Sequence, residues 1–285
     1  MQTSRARLVL ALLSGSILFA ARDSLAAPGD ILRQFTVPVS SGGGRGVAFD
    51  GTNLYYTMTG SIVLYSKIYK ISPTGVLLAT IPTTDYSCGG PLAWDGQYLW
   101  TTGYAGCADG TLYQVDPADG SIVSQADASS ARAANQPDGL DFRNATLVLS
   151  AEALAPTWVS FLGTSGALNS EFHAVDRHYM GTGGLLIGPS GVSFDGPCYL
   201  WHTYPLSTEG LIVQTDLTGL ETGLVVHGAP QVEDLALDEV TFAPKTVLWG
   251  LNQATMFAIE VPAVDPCLPT PTRSRTWGSI KLLWR

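Results

Sequence analysis

Charge is scarce in this 285-residue chain. Asp, Glu, Lys and Arg make up 14% of it, with 15 basic residues against 24 acidic ones. A surface so short of Lys and Arg repels phosphate backbones, which excludes nucleic acid as a partner. Cysteine and histidine are sparse, four of each. No two cysteines have C-x-x-C spacing and no histidine clusters beside one, so the common zinc frameworks are missing. No Gly-x-Ser-x-Gly elbow, phosphate-binding loop, His-Glu-x-x-His pair or EF-hand loop is present either.

Long apolar runs are missing except at the N-terminus. Arg5 and Arg7 precede an apolar stretch from Leu8 to Ala21, broken by Ser14, Gly15 and Ser16 and followed by small residues at Ser24–Ala27. A spanning helix needs about 20 apolar residues, so this shorter run reads as a signal peptide over 1–27, an uncleaved anchor being the alternative. Cleavage is expected to leave a secreted or periplasmic protein, with no transmembrane segment, starting near Ala27 or Pro28. The leader carries three arginines and one aspartate, so its removal takes the formal net charge from −9 to −11.

What the chain does have is glycine, 31 of them, and a 46% share of hydrophobic residues. That mixture suits a large β-rich core with tight turns, not disorder. It also has a repeat. GVAFDGTNLYY at Gly46 returns as PLAWDGQYLWT at Pro91, GLDFRNATLVLS at Gly139 and GVSFDGPCYLWHT at Gly191. A degraded copy, DLALDEVTFAPKTVLWG, starts at Asp234, so the spacings are 45, 48, 52 and 43 residues. Self-similarity at this period marks radial repeats such as propellers.

Each unit reads as strands. Gly-Val-Ala-Phe is a short run buried on both sides, Asp-Gly supplies positive-φ residues for a hairpin, and Asn-Leu-Tyr-Tyr alternates outward. Asp50, Asp95 and Asp195 are thus turn formers first. Third strands follow at Lys67, Thr111, Thr157, Leu211 and Met256, and fourth strands in the first four units only. ILRQFTVP at 31–38 is left over and would complete the fifth unit. The fold class is therefore all-β, a five-bladed propeller over 28–266 closed by its N-terminal strand, which removes open edges.

That topology sorts the cysteines. Cys88 and Cys107 fall on loops of one face in blade two, Cys198 and Cys267 on the opposite face in neighbouring blades. Disulfides Cys88–Cys107 and Cys198–Cys267 are expected, with a metal site the competing reading.

Binding groups are expected at the channel mouth, where first strands begin. Arg45, Gly90, Asp138, Ser190 and Glu233 align there, with Asp234 one step on. One cation facing carboxylates is either a ligand site, with Asp138 and Glu233 as possible Ca2+ ligands, or an ion pair that merely stabilises the rim. On the second strands Tyr56, Thr101, Leu149, His202 and Gly250 share one register, followed by Thr57, Thr102, Ser150, Thr203 and Leu251. His202 is the candidate general base or ligand, or else a satisfied structural histidine. Glu152 and Asn252 lie near equivalent strand ends. The insert DRHYMGTGGLLIGPS adds Arg177, His178 and Tyr179 as weaker candidates. Asn144-Ala-Thr is a glycosylation sequon in a turn. The tail over 267–285, a Pro/Thr linker followed by a basic aromatic segment with Trp277 and Trp284, is read as a docking or sorting segment or a frayed end.

The [GP]-[VL]-[AS]-[FW]-Asp-Gly-x-x-Leu-[WY] units, followed by Leu/Ile-Tyr-x-[IV]-x-Pro-x-x-Gly, resemble bacterial secreted β-propellers of the NHL / SMP-30 / YVTN-like superfamily. The five-blade count also resembles plant-type glutaminyl cyclases. Such folds host enzymes and binding modules alike, so two functions stand open. One is a monomeric, non-catalytic recognition module for a small-molecule, glycan, peptide or protein ligand at the channel mouth. The other is a propeller enzyme: a metal-dependent lactonase-like hydrolase, a lyase or a glutaminyl cyclase.

Overall fold

The computed structural model describes residues 27–40, 42–59, 67–83, 89–103, 109–151, 156–178, 186–207, 210–227 and 229–262. Most of the leader, the C-terminal tail, Cys88, Cys107, Cys267, Glu152 and Tyr179 lie outside them.

A short strand β1 (Ile31–Thr36) precedes blade one, which contains β2 (Gly43–Phe49), β3 (Leu54–Thr59), β4 (Lys67–Ile71) and β5 (Leu77–Pro82). Blade two is β6 (Leu92–Trp94), β7 (Leu99–Thr102), β8 (Thr111–Val115) and β9 (Ile122–Asp127). Blade three is β10 (Gly139–Arg143), β11 (Thr146–Ser150), β12 (Trp158–Gly163) and β13 (Leu168–His173). The insert forms a small hairpin of β14 (Arg177–His178) and β15 (Leu186–Ile187), not a sixth blade. Blade four is β16 (Val192–Asp195), β17 (Tyr199–Tyr204), β18 (Leu211–Asp216) and β19 (Glu221–His227); blade five starts with β20 (Leu235–Asp238), β21 (Thr246–Asn252) and β22 (Thr255–Val261). All five sheets are antiparallel meanders, and the fifth is completed by β1 on the outer edge of β22, with Phe35 opposite Met256. The expected closure is present.

First strands contact one another in a closed ring, β2–β6–β10–β16–β20 and back to β2. The cores lie between blades, one at each junction. Tyr56 and Trp249 share the cluster between blades five and one, and Ile68 packs with Leu92 between one and two. Trp100 and Leu140 meet between two and three, Val159 and Val192 between three and four, Trp201 and Leu248 between four and five. A second strand is therefore covered on both faces. The expected outward alternation of Asn-Leu-Tyr-Tyr does not occur: Leu54, Tyr55 and Tyr56 are all within 1% of complete burial.

The Asp-Gly turns differ from expectation in one respect. Gly51, Gly96 and Gly196 have φ of +88°, +101° and +63°, but the aspartates before them are not left-handed. Instead their carboxylates bind the turn. Asp50 Oδ1 accepts from the amides of Thr52 and Asn53, and Oδ2 from the Tyr55 hydroxyl at 3.0 Å. Asp95 does the same with Gln97, Tyr98 and Trp100 Nε1, and Asp238 with Val240, Thr241 and Trp249 Nε1. One oxygen caps the turn while the other pins the aromatic side chain of the second strand. Blade three has Arg143 at the aspartate position, and there Asn144 and Ala145 take both left-handed positions (φ 50° and 60°), leaving the sequon asparagine exposed.

Candidate functional site

The mouth of the channel gathers four of the aligned residues. Arg45 stands in β2, while Asp138, Ser190 and Glu233 precede the first strands of blades three, four and five. Their equivalence is visible in the backbone: the amides of Asp138, Ser190 and Glu233 donate to the carbonyls of Ser150, Thr203 and Leu251. Arg45 Nη1 lies 3.0 Å from Glu233 Oε2 and 4.0 Å from Asp138 Oδ1. Ser190 Oγ donates to the Glu233 carbonyl at 2.8 Å and approaches Oε2 at 3.3 Å. Burial pushes the Glu233 carboxyl above its usual range, while Arg45 and Ser190 pull it back. Asp138 is 1% exposed, whereas Arg45 and Glu233 keep about a fifth of their side-chain surface in solvent.

Asp234 sits one step deeper and is fully buried. Its Oδ2 accepts from Val47 N at 3.2 Å and Leu92 N at 3.3 Å, and Oδ1 from Leu235 N at 2.9 Å. One carboxylate thus ties blades five, one and two together. First strands have an unpaired inner edge, and their buried amides must be satisfied from within the ring. Burial raises the Asp234 carboxyl well above its ordinary value despite these bonds.

The hydroxyls of the neighbouring register serve the walls. Thr57 Oγ1 donates to Gly90 O at 2.7 Å, Thr203 Oγ1 to Val232 O at 3.0 Å, and Ser150 Oγ to Ser190 O. Each clamps a second strand to the loop entering the next blade. Leu251 replaces such a clamp by packing on Gly44.

The structure separates His202 from the mouth cluster. Its Nε2 pairs with Thr215 of β18 at 2.9 Å and its ring meets Phe172 of β13 edge-on, within the wall between blades three and four. Burial lowers its pKa to about 3, so the imidazole is neutral and a very weak base. Asn252 is half-buried in the β21–β22 hairpin opposite Thr255, and Glu152 lies outside the described residues. Arg177 is paired with Glu221 and sits 5.4 Å over the Tyr204 ring; nothing is described of the side chain of His178. Cys198 is disulfide-bonded, but the other three cysteines fall outside the described residues. A divalent ion shared by Asp138 and Glu233 would have to displace the Arg45 guanidinium. Among the described residues no group of three or more His, Cys, Asp or Glu could hold a metal.

Sequence reasoning passed over Asp141. It occupies the register held elsewhere by Ala48, Ala93, Ser193 and Ala236, and a carboxylate in a small-residue register was the available signal. Its Oδ1 accepts from Phe142 N at 2.7 Å, and Oδ2 from Phe194 N at 2.7 Å and Ser193 Oγ at 3.0 Å.

No family model matches this chain, and no curated protein does; membership of the NHL / SMP-30 group is thus not confirmed. Solved structures do match. The glutaminyl cyclase of Myxococcus xanthus is similar at a TM-score of 0.56 and 14% identity, over 84% of this chain and 100% of that one. A nidogen/laminin complex is similar at 0.45 and 13%, over 74% and 76%, and the Kuenenia stuttgartiensis hydrazine synthase at 0.42 and 12%, over 78% and 59%. The shared feature is the propeller fold. At such identities the likeness extends to nothing finer, and the two weaker ones carry no argument.

Proposed function

We propose that this propeller is an extracytoplasmic recognition module that binds a glycan or peptide at the channel mouth. The reading rests on the Arg45–Glu233–Asp138–Ser190 cluster. Its charges are held in fixed positions by the ring, and those of Arg45 and Glu233 remain partly open to solvent, the arrangement that orients a polar ligand without rearrangement. His202, the only histidine among the candidates in a blade core, is neutral and turned into the wall, so it supplies no catalytic base to the mouth. Screening the mature chain on glycan and peptide arrays tests the proposal. Bound ligands are expected to lose about tenfold or more in affinity, ~1.4 kcal/mol, in Glu233→Gln and Arg45→Ala. A ligand that binds both variants as it binds the parent would overturn the reading.

A second reading is favoured by one feature, the raised carboxyl of Glu233. Such a group can accept a proton from an amine and return it to a leaving group, which is what cyclisation of an N-terminal glutamine, the activity named for the Myxococcus fold neighbour, would need. Incubating the chain with a glutaminyl peptide and watching for ammonia release separates the two. Turnover abolished by Glu233→Gln would establish the enzyme reading in place of the binding one.

A further inference from the structure

On the face of the Asp-Gly turns, opposite the mouth, the central channel opens into a cavity of about 190 Å³. At ~30 Å³ per liquid water that is room for about six waters, the size of a small molecule. Phe49, Trp94, Phe142, Phe194, Ala48, Ala236 and Leu237 contribute to its lining, and the two charged residues there are Asp141 and Arg143.

The charges are placed for use. An ionised carboxylate has about four acceptor positions, and Asp141 spends three on Phe142 N, Phe194 N and Ser193 Oγ. One remains for a donor inside the cavity. Burial pushes this carboxyl up to about 6, with those hydrogen bonds and Arg143 opposing the rise, so it is ionised at neutral pH. Arg143 replaces the turn aspartate of the other blades. It acts electrostatically on both Asp141 and Asp195, yet its guanidinium forms no ion pair with a described residue. Its planar donors suit a carboxylate.

We propose that this cavity binds a small zwitterion, an α-amino acid of about leucine's size, with its ammonium on Asp141 and its carboxylate on Arg143. The pairing of charges selects this class. A lone amine would lie beside an unanswered Arg143, and a lone acid would face Asp141, each a penalty without compensation.

Calorimetric titration of the mature chain with L-leucine, 3-methylbutylamine and 4-methylpentanoate tests this, because the last two are leucine without its carboxylate and without its amine. Leucine is expected to bind saturably, one molecule per chain, and each analogue about tenfold more weakly or worse. Arg143→Gln is expected to weaken leucine about tenfold while its melting temperature stays near the parent's. Asp141→Asn is expected to do the same, but it also removes an acceptor from the channel, so Arg143→Gln is the deciding variant. Glu233→Gln, at the other end of the channel, should leave leucine binding unchanged. Equal binding of all three compounds, absence of leucine binding, or loss in Glu233→Gln with none in Arg143→Gln would overturn the proposal.

Discussion

Single carboxylates do most of the joining in this molecule. Asp95 accepts four hydrogen bonds, from two turn amides, Trp100 Nε1 and Gln114 Nε2. Removing it leaves a buried indole N–H without its acceptor, so Asp95→Ala is expected to lower the unfolding free energy by about 2–4 kcal/mol in urea titration. Asp234→Asn should destabilise by about 1–3 kcal/mol, because an amide group cannot accept from Val47 N, Leu92 N and Leu235 N together. Titration follows from the same residues, with opposite signs. The carboxyls of Asp50 and Asp95 are held below their ordinary values: burial alone would raise them, but their hydrogen bonds prevail. Their stabilisation is present above an unfolded pKa of about 4 and disappears as pH falls through the lower folded values. Neutral His202 makes the fold lose stability as pH falls below about 6.5, since only the unfolded chain takes up that proton. Asp141 and Asp234, raised by burial, act the other way: their protonation in the folded state adds stability as pH falls, for Asp141 from about 6 toward 4. Replacing His202 with Gln should therefore leave a variant that gains stability, relative to the parent, as pH is lowered from 6.5 to 4 in denaturant melts.

At the scale of elements, ring geometry explains the glycine that opens the repeat. A Cβ on Gly46 would fall 2.5 Å from Gly90 O, and one on Gly139 2.5 Å from Ser150 Oγ and 2.6 Å from Ser190 O. At these positions the neighbouring blade comes too close for a side chain, whereas Pro91 and Asp234 open the equivalent strands of blades two and five. Gly139→Ala should cost about 1–3 kcal/mol in thermal or urea unfolding, with the far-UV spectrum retained. Strand β1 carries the other prediction of this kind. Its removal, by starting the chain after Val37, bares the edge of β22 and opens the ring. Such a chain is expected to aggregate at concentrations where the full mature chain stays dispersed, as light scattering would report.

Across the whole molecule, the two ends of one channel differ in chemistry. The mouth carries charges partly open to solvent, the buried Asp234 ties three blades together beneath it, and the far end is lined by one acid and one base, Asp141 and Arg143. A five-bladed ring leaves little room along its axis, so charges placed there are desolvated and need partners from several blades at once. Export and crosslinking belong to this scale as well. Expressed with its leader, the protein is expected to begin at Ala27 or Pro28, and peptide mass mapping without reduction should find Cys88 joined to Cys107 and Cys198 to Cys267. A joint between Cys88 and either of the other two would break the assignment of loops to faces.

The amino-acid sequence alone determined the number of blades, the strand order within them and the closure by 31–38. Those follow from local signals, a hydrophobic run, a turn and a second run, repeated at near-constant spacing. It also placed Arg45, Asp138 and Glu233 on one rim, because equivalent positions in a ring share a height. Only the tertiary structure decided which way side chains point and what they meet. His202 faces a wall because a second strand is covered on both sides, and the aspartates at 50, 95 and 238 reach aromatic residues on the next strand. Asp141 gained its importance from Phe194 and Ser193, some fifty residues away along the chain, a proximity that no local pattern encodes.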